Sequence, residues 1–124
     1  MNPARRPRMF FDEEVHPANV TFDDGESSRR NMPWSHFRCA DWDYTDPPAI
    51  HVEIGDWQVV ISGHNLEPLF GAIEVARLAR VRAYPDFADD PAHEADVFAT
   101  NIRFIHLASA SPKRGRAVQL RLPI

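Results

Sequence analysis

The feature that most constrains the fold is a pair of alternating segments joined by the dipeptide Gly55-Asp56. Apolar residues occupy every second position on both sides of this dipeptide, at Ile50, Val52, Ile54, Trp57, Val59 and Ile61. Two such runs joined by two residues predict a β-hairpin, and glycine at the first turn position favours a type II′ turn. We therefore expect an antiparallel strand pair in which alternate side chains form one apolar face.

An amphipathic helix is predicted directly after the second of these strands. Asn65 is suited to the N-cap, and Pro68 falls in the first turn, where its missing N–H would have no helical partner. The apolar residues of this segment have the spacing of one buried helical stripe, namely Leu66, Leu69, Phe70, Ile73 and Ala76. Alternation over residues 79–83 then favours a strand, so the helix should end near Arg77 or Leu78.

Three further segments, residues 35–44, 96–107 and 117–122, have strand-like patterns. In the first segment Phe37 and Cys39 share one phase, whereas Trp42 and Tyr44 fall in the other. A bulge near Ala40 would reconcile the two phases, because one extra residue reverses the facing of all that follow. In that register Cys39 lies on the apolar face, where cysteine commonly behaves as a small buried hydrophobe.

The order of predicted elements is β-β-β-α-β-β-β, which favours an α+β fold with two layers. We expect a mostly antiparallel sheet of about five to six strands covered by one main helix. A chain of 124 residues has the usual length of a single domain. Residues 1–31 hold many charges and few apolar side chains, so we interpret them as a partly disordered N-terminal arm. The single α+β domain then spans residues 32–124.

The composition excludes several classes of protein. One cysteine allows neither an internal disulfide nor a cysteine-based zinc site. No apolar run approaches the ~20 residues that cross a bilayer, and no apolar segment follows the N-terminal arginines as in a secretory signal. Thirteen of the fourteen basic residues are arginine, as in GC-rich bacterial coding. We therefore expect a bacterial, cytoplasmic protein without a membrane partner.

Four polar residues form the first candidate site, a ligand or partner face. His51 and Glu53 are two residues apart on the first hairpin strand, so their side chains share one side of the sheet. His36 and Arg38 have the same spacing on the preceding predicted strand. If the two strands pair, all four side chains project from the face opposite the core. A solvated polar face explains the pattern as well as a ligand does, and the spacing lacks a second part typical of a metal site.

Other chemistries receive less support from the sequence. The acidic segment 85–96 lacks the ligand order and central glycine of a calcium loop, and is interpreted as a solvated loop. The tripeptide Ser62-Gly63-His64 lies at a strand-to-helix turn but lacks the glycine frame of a nucleophile elbow. We predict no catalytic residues, no metal and no cofactor.

The C-terminal region carries the basic residues Lys113, Arg114 and Arg116, and no acidic residue follows Asp96. Clustered positive charge is what contact with nucleic-acid phosphates requires. The same charges would also be explained if this end of the chain folded against the acidic middle. Binding to nucleic acid through these three residues is therefore the third functional hypothesis.

The leading hypothesis is a non-catalytic interaction or accessory module that self-associates. One short helix leaves much of the predicted sheet uncovered, and exposed sheet edges are commonly paired, charged or covered. A closed two-fold dimer is the commonest way to bury such a surface. We therefore predict a homodimer with Trp42, Tyr44 or the last strand near the interface, and a protein partner is a further hypothesis. The alternative is a small ligand-binding protein or enzyme that uses the face of His36, Arg38, His51 and Glu53.

Overall fold

The computed structural model describes residues 8–45 and 47–110. Within these residues the strands are β1 (Phe11–Glu13), β2 (Asn19–Asp23), β3 (Arg29–Pro33), β4 (Phe37–Asp43), β5 (Ala49–Ile54), β6 (Trp57–His64), β7 (Leu78–Arg82) and β8 (Phe98–His106). Helix α1 (Glu67–Glu74) lies between β6 and β7, and a short helical turn (Leu107–Ala110) follows β8. The predicted final strand, residues 117–122, lies outside the described residues.

The α+β class is confirmed, but the predicted single sheet is replaced by two sheets of four strands. The first sheet has the strand order β1-β7-β2-β3, and the second has the order β4-β5-β6-β8. All pairs are antiparallel except β2 with β7, which run parallel. Six strands therefore precede α1, rather than the three predicted. Side chains from both sheets and from the helix form one continuous core.

The difference arises at the N-terminal end of the chain. Within residues 8–31, predicted as an arm, the structure has β1, β2 and most of β3, and the expected boundary at residue 31 falls inside β3. Val20 and Phe22 of β2 are completely buried. They are two residues apart, so both project from the same side of the strand into the core. The segment has few apolar side chains, but pairing of β2 with β7 places Val20 and Phe22 in the interior.

The predicted hairpin is confirmed. β5 and β6 pair from Ile54 opposite Trp57 to Ala49 opposite Ser62, with Gly55 and Asp56 as the two-residue turn. Gly55 has a φ of 60°, a value that favours glycine, whereas Asp56 does not adopt a positive φ. This combination matches the predicted type II′ turn.

The irregularity in β4 occurs earlier than predicted. The register of β4 against β5 shifts between Phe37 and Cys39, which places the extra residue at Arg38 rather than near Ala40. Ala40 and Trp42 therefore share the inward side with Phe37 and pack against the core. Cys39 faces outward and is exposed, so its interpretation as a buried hydrophobe is wrong.

Helix α1 buries most of the predicted stripe. Leu66, Leu69 and Ile73 are almost fully buried, while Phe70 is partly exposed and packs edge-on against Trp42 of β4. The helix begins after Asn65, which is not its N-cap but adopts a φ of 53° before the first turn.

No helix in the described part of the chain is long and apolar enough to cross a membrane.

Candidate functional site

The outer face of the second sheet carries the polar residues in which the sequence predicted a site. Alternation along β5 turns His51 and Glu53 away from the core, since Ile50, Val52 and Ile54 are buried. The cross-strand register adds neighbours from β4 and β6, so that the polar face comprises Arg38, Asp41, Asp43, His51, Glu53 and Gln58. The structure thus brings Arg38, His51 and Glu53 onto one surface.

Most of these side chains are paired with one another. Arg38 Nη1 lies 3.9 Å from Glu53 Oε1, and both groups are substantially exposed. His51 Nε2 lies 3.4 Å from Asp43 Oδ2, and its Nδ1 lies 3.3 Å from the Gln58 amide. A His51 ring protonated on Nε2 satisfies both contacts, because it donates to Asp43 and accepts from Gln58.

The carboxylate of Asp43 is further held by the turn that follows β4. The backbone N–H of Thr45 donates to Asp43 Oδ1 at 3.0 Å. This hydrogen bond is the main reason why the pKa of Asp43 is lowered, and contacts with the Thr45 and His51 side chains act in the same direction. Polar groups that satisfy one another in this way are typical of a solvated sheet face, where exposed ion pairs contribute little to stability.

His36 does not join this face, which corrects the predicted group of four. It lies in a single helical turn, Trp34–His36, between β3 and β4. Its carbonyl oxygen accepts a hydrogen bond from the backbone N–H of Gly55 at 2.9 Å. The chain turns at Pro33 and enters β4 only at Phe37, so the alternation that linked His36 with Arg38 does not exist.

The tripeptide Ser62-Gly63-His64 does not form a nucleophile elbow. All three residues lie within β6, and the tripeptide pairs with β8 rather than forming a sharp turn into the helix. The His64 ring stacks on Phe98 at 5.0 Å between centroids, and its Nε2 lies 3.1 Å from the Ala88 carbonyl. A side chain at Gly63 would collide with the backbone of Phe98, so the glycine serves close strand packing.

The acidic segment is ordered around a buried carboxylate that the sequence analysis missed. Asp96 has no solvent exposure. Its Oδ1 accepts the Arg8 N–H at 2.9 Å, and its Oδ2 lies 3.0 Å from His93 Nδ1. The Asn65 amide also donates to the Asp96 carbonyl at 2.9 Å. A His and an Asp three residues apart in an acidic stretch carry no distinctive pattern, so no sequence signal separated Asp96 from its exposed neighbours.

Aromatic rings enclose the same region. The His93 ring stacks on Phe87 at 3.9 Å between centroids, and Phe10 packs edge-on against both. Backbone hydrogen bonds of Val97 with Arg8 and Phe10 hold the N-terminal segment in place. These contacts give the His93–Asp96 pair a structural role, because they join the start of the described chain to the segment before β8.

One edge of the second sheet is unpaired among the described residues, and we call it the free edge of β4. β4 is the terminal strand of that sheet and pairs with β5 alone in the described part of the chain. Just beyond its end, Tyr44 is 89% exposed. The Tyr44 ring lies 6.1 Å from that of Trp42, which in turn contacts Phe70 of α1. Aromatic surface therefore continues from the core to the free edge.

Metal and nucleic-acid sites gain no geometric support. Among the described residues, no three His, Cys, Asp or Glu side chains are grouped so that they could hold a metal ion. Lys113, Arg114 and Arg116 lie outside the described residues.

Comparison of the chain with protein-family models, with curated proteins and with solved structures gives no match.

Proposed function

We propose that the protein is a non-catalytic interaction module that forms a homodimer through the free edge of β4. The observation that carries the proposal is the seven-residue edge strand Phe37–Asp43, which runs directly into the exposed ring of Tyr44. A free strand edge presents unpaired N–H and C=O groups that can template another strand. Pairing of β4 with its copy would join the two second sheets into one sheet of eight strands.

The side chains of β4 favour a particular register for this pairing. An antiparallel pair centred on Ala40 places Asp41 opposite Cys39 of the second copy. If the pair were centred on Asp41 instead, the two Asp41 carboxylates would lie opposite each other, which is destabilising. The centred register also keeps Cys39, Ala40 and Asp41 in the regular part of the strand, beyond the extra residue at Arg38. At its ends Tyr44 supplies apolar contact area that the main-chain hydrogen bonds alone lack.

The polar face provides less support for the alternative, a ligand site or enzyme. Arg38 is paired with Glu53, and His51 with Asp43 and Gln58, so a ligand would first have to break these contacts. His36 is on a different part of the surface. The interaction module is therefore the function that the geometry of the described residues supports best.

Sedimentation equilibrium on the full chain tests the proposal. We expect the wild-type protein to have twice the mass of the chain at micromolar concentration, and the Tyr44→Asp variant to be monomeric. Val15→Asp is the matched control, because Val15 is also an exposed apolar residue, at 68%, but lies between β1 and β2. It should remain dimeric. A wild-type protein that stays monomeric at all concentrations, or a Tyr44→Asp variant that is as dimeric as the control, overturns the proposal.

A further inference from the structure

An arginine of the first sheet points into the space between the two sheets. Arg30 lies opposite Phe22 in the β2–β3 pair, two residues from buried Met32, so all three side chains face inward. The guanidinium carbon of Arg30 lies 4.0 Å from the centroid of the Trp57 ring and 5.3 Å from that of Phe104. Arg30 therefore contacts aromatic rings from two strands of the second sheet.

One nitrogen of the guanidinium lacks the polar partner that a buried donor normally has. Arg30 Nε is buried and has no hydrogen-bond partner among the described residues. Contact with aromatic rings compensates a cation in part. A buried donor without an acceptor nevertheless remains costly, and charged donors cost more than neutral ones. An arginine in this state is suited to receive an acceptor from outside the chain.

Asp24 lines the same cleft as Arg30, but its carboxylate is held by its own loop. Asp24 Oδ1 accepts the backbone N–H groups of Glu26, Ser27 and Ser28 at 2.7 to 3.0 Å, and Oδ2 accepts the Ser27 hydroxyl. These bonds lower the pKa of Asp24 to about 2. The loop thus holds the ionised Asp24 carboxylate in place.

A cleft opens at this arginine. It has a volume of about 410 Å³ and lies between the loop that precedes β3 and the last strand of the second sheet, and its lining includes Asp24, Arg30, Trp57, Ile102, Arg103 and Phe104. A second cleft of about 370 Å³ reaches Trp57 from the side of Met32 and His36. Volumes of this order suit small molecules, and the first cleft combines charged and hydroxyl groups with an apolar surface.

We infer that this cleft binds a small organic oxyanion, a carboxylate or phosphate carried on a flat apolar group. The Arg30 guanidinium would receive the oxyanion, because its planar donors match both kinds of anion. The apolar part would lie against Phe104 and Ile102. The site uses β3, β6 and β8 and not the β4 edge, so it goes beyond the proposed dimer and does not depend on it.

Titration of the ¹⁵N-labelled full chain, followed by NMR, tests this inference with benzoate and inorganic phosphate as separate probes at constant ionic strength. We expect saturable shifts of the Trp57 indole N–H and the Arg30 Nε–H, while Trp34 and Trp42 stay unchanged. Saturation by benzoate alone assigns a carboxylate on an apolar group, and saturation by both assigns an oxyanion site of broader acceptance. Absence of saturable shifts at Trp57 and Arg30 with both probes overturns the inference.

Variants of β3 show whether the arginine is responsible. Arg30→Gln should weaken binding about tenfold or more, as expected for the loss of charge-assisted hydrogen bonds. Arg29→Gln is the matched control, because Arg29 is the neighbouring residue of β3 but is exposed. It should leave the affinity unchanged. Arg30→Lys keeps the charge and most of the packing, and should bind with intermediate affinity even if Arg30→Gln does not fold. Equal affinity in wild type and a folded Arg30 variant contradicts the inference.

Discussion

The Asp96 carboxylate lies 3.0 Å from His93 Nδ1 and has no contact with solvent. Its other oxygen accepts the backbone N–H of Arg8, so one side chain connects the N-terminal segment to the turn that precedes β8. Burying a carboxylate costs free energy unless hydrogen bonds or charges compensate it. Asp96 is therefore stabilised by Arg8 and His93, and in turn satisfies the hydrogen-bonding groups of both.

Replacement of Asp96 should be among the most destabilising changes in the acidic segment. Asp96→Ala leaves the Arg8 N–H and His93 Nδ1 without their acceptor, and hydrogen bonds to charged groups contribute about 1.5–3 kcal/mol each. We expect the free energy of unfolding to fall by about 3 kcal/mol, measured by urea denaturation. Asp89→Ala, an exposed residue of the same segment, should change it by no more than about 0.5 kcal/mol. Similar values for the two variants would contradict the structural role of Asp96.

A second prediction concerns the pH dependence of stability. Hydrogen bonds from Ser28 and Glu26 in the Asp24 loop lower the pKa of Asp24 from 3.8 to about 2. Because the folded-state pKa is the lower one, Asp24 stabilises the fold above pH 3.8, and this contribution is lost as the pH falls to about 2.

The Asp24→Asn variant removes this titration while keeping a similar side chain. Urea denaturation between pH 5 and pH 2, a range chosen to span both pKa values, should show a shallower loss of stability for the variant than for the wild type. Asp86→Asn, which replaces an exposed acid outside this loop, is the control and should follow the wild-type curve. Parallel curves for wild type and Asp24→Asn would show that the loop does not favour the ionised carboxylate.

A third prediction tests the strands formed by the N-terminal segment. Phe22 is buried in the shared core, so Phe22→Ala should lower the free energy of unfolding by about 3–5 kcal/mol. Val15→Ala, an exposed apolar residue before β2, should have an effect within about 0.5 kcal/mol. Denaturation in urea measures both. A Phe22→Ala variant as stable as Val15→Ala would restore the interpretation of this segment as a separate arm.

Patterns that lie within one element predicted the structure correctly, whereas features that depend on distant strands were not predicted. The hairpin at Gly55 and most of the buried stripe of α1 were predicted, because each pattern lies within one element. Burial of Phe22 depends on β7, a strand that lies far along the chain, so residues near Phe22 could not reveal it. Likewise, the phases of Phe37 and Trp42 required an extra residue between them but did not place it at Arg38.

The candidate sites show the same limit. The outward alternation of His51 and Glu53 was readable from β5, whereas the turn that removes His36 depends on tertiary contact between the His36 carbonyl and Gly55. Arg30 was not singled out, because it falls in residues 1–31, which were interpreted as a partly disordered arm, and an arginine is ordinarily expected at the surface. Its inward direction follows only from the pairing of β3 with β2 and from the rings of the opposite sheet.

The last prediction uses Cys39, the only cysteine of the chain, as a natural reporter on β4. In the antiparallel pair centred on Ala40, the two copies of Cys39 are diagonal neighbours, a relation that corresponds to about 7–8 Å. A short bifunctional maleimide should therefore join two chains in good yield, as seen on a denaturing gel. The pKa of the Cys39 thiol is raised by desolvation and by the Glu53 and Asp41 carboxylates, so coupling should be faster at mildly alkaline pH.

Two controls separate a β4 pair from random collision. Cys39→Ser should give no joined product, and the wild-type protein unfolded in urea at the same concentration should give only a background yield. Tyr44→Asp, which keeps Cys39 but weakens the proposed edge contact, should fall toward that background. If the native protein is joined no more efficiently than the unfolded chain, β4 does not pair with β4, because an exposed thiol held about 8 Å from its copy must react faster than thiols that meet by diffusion.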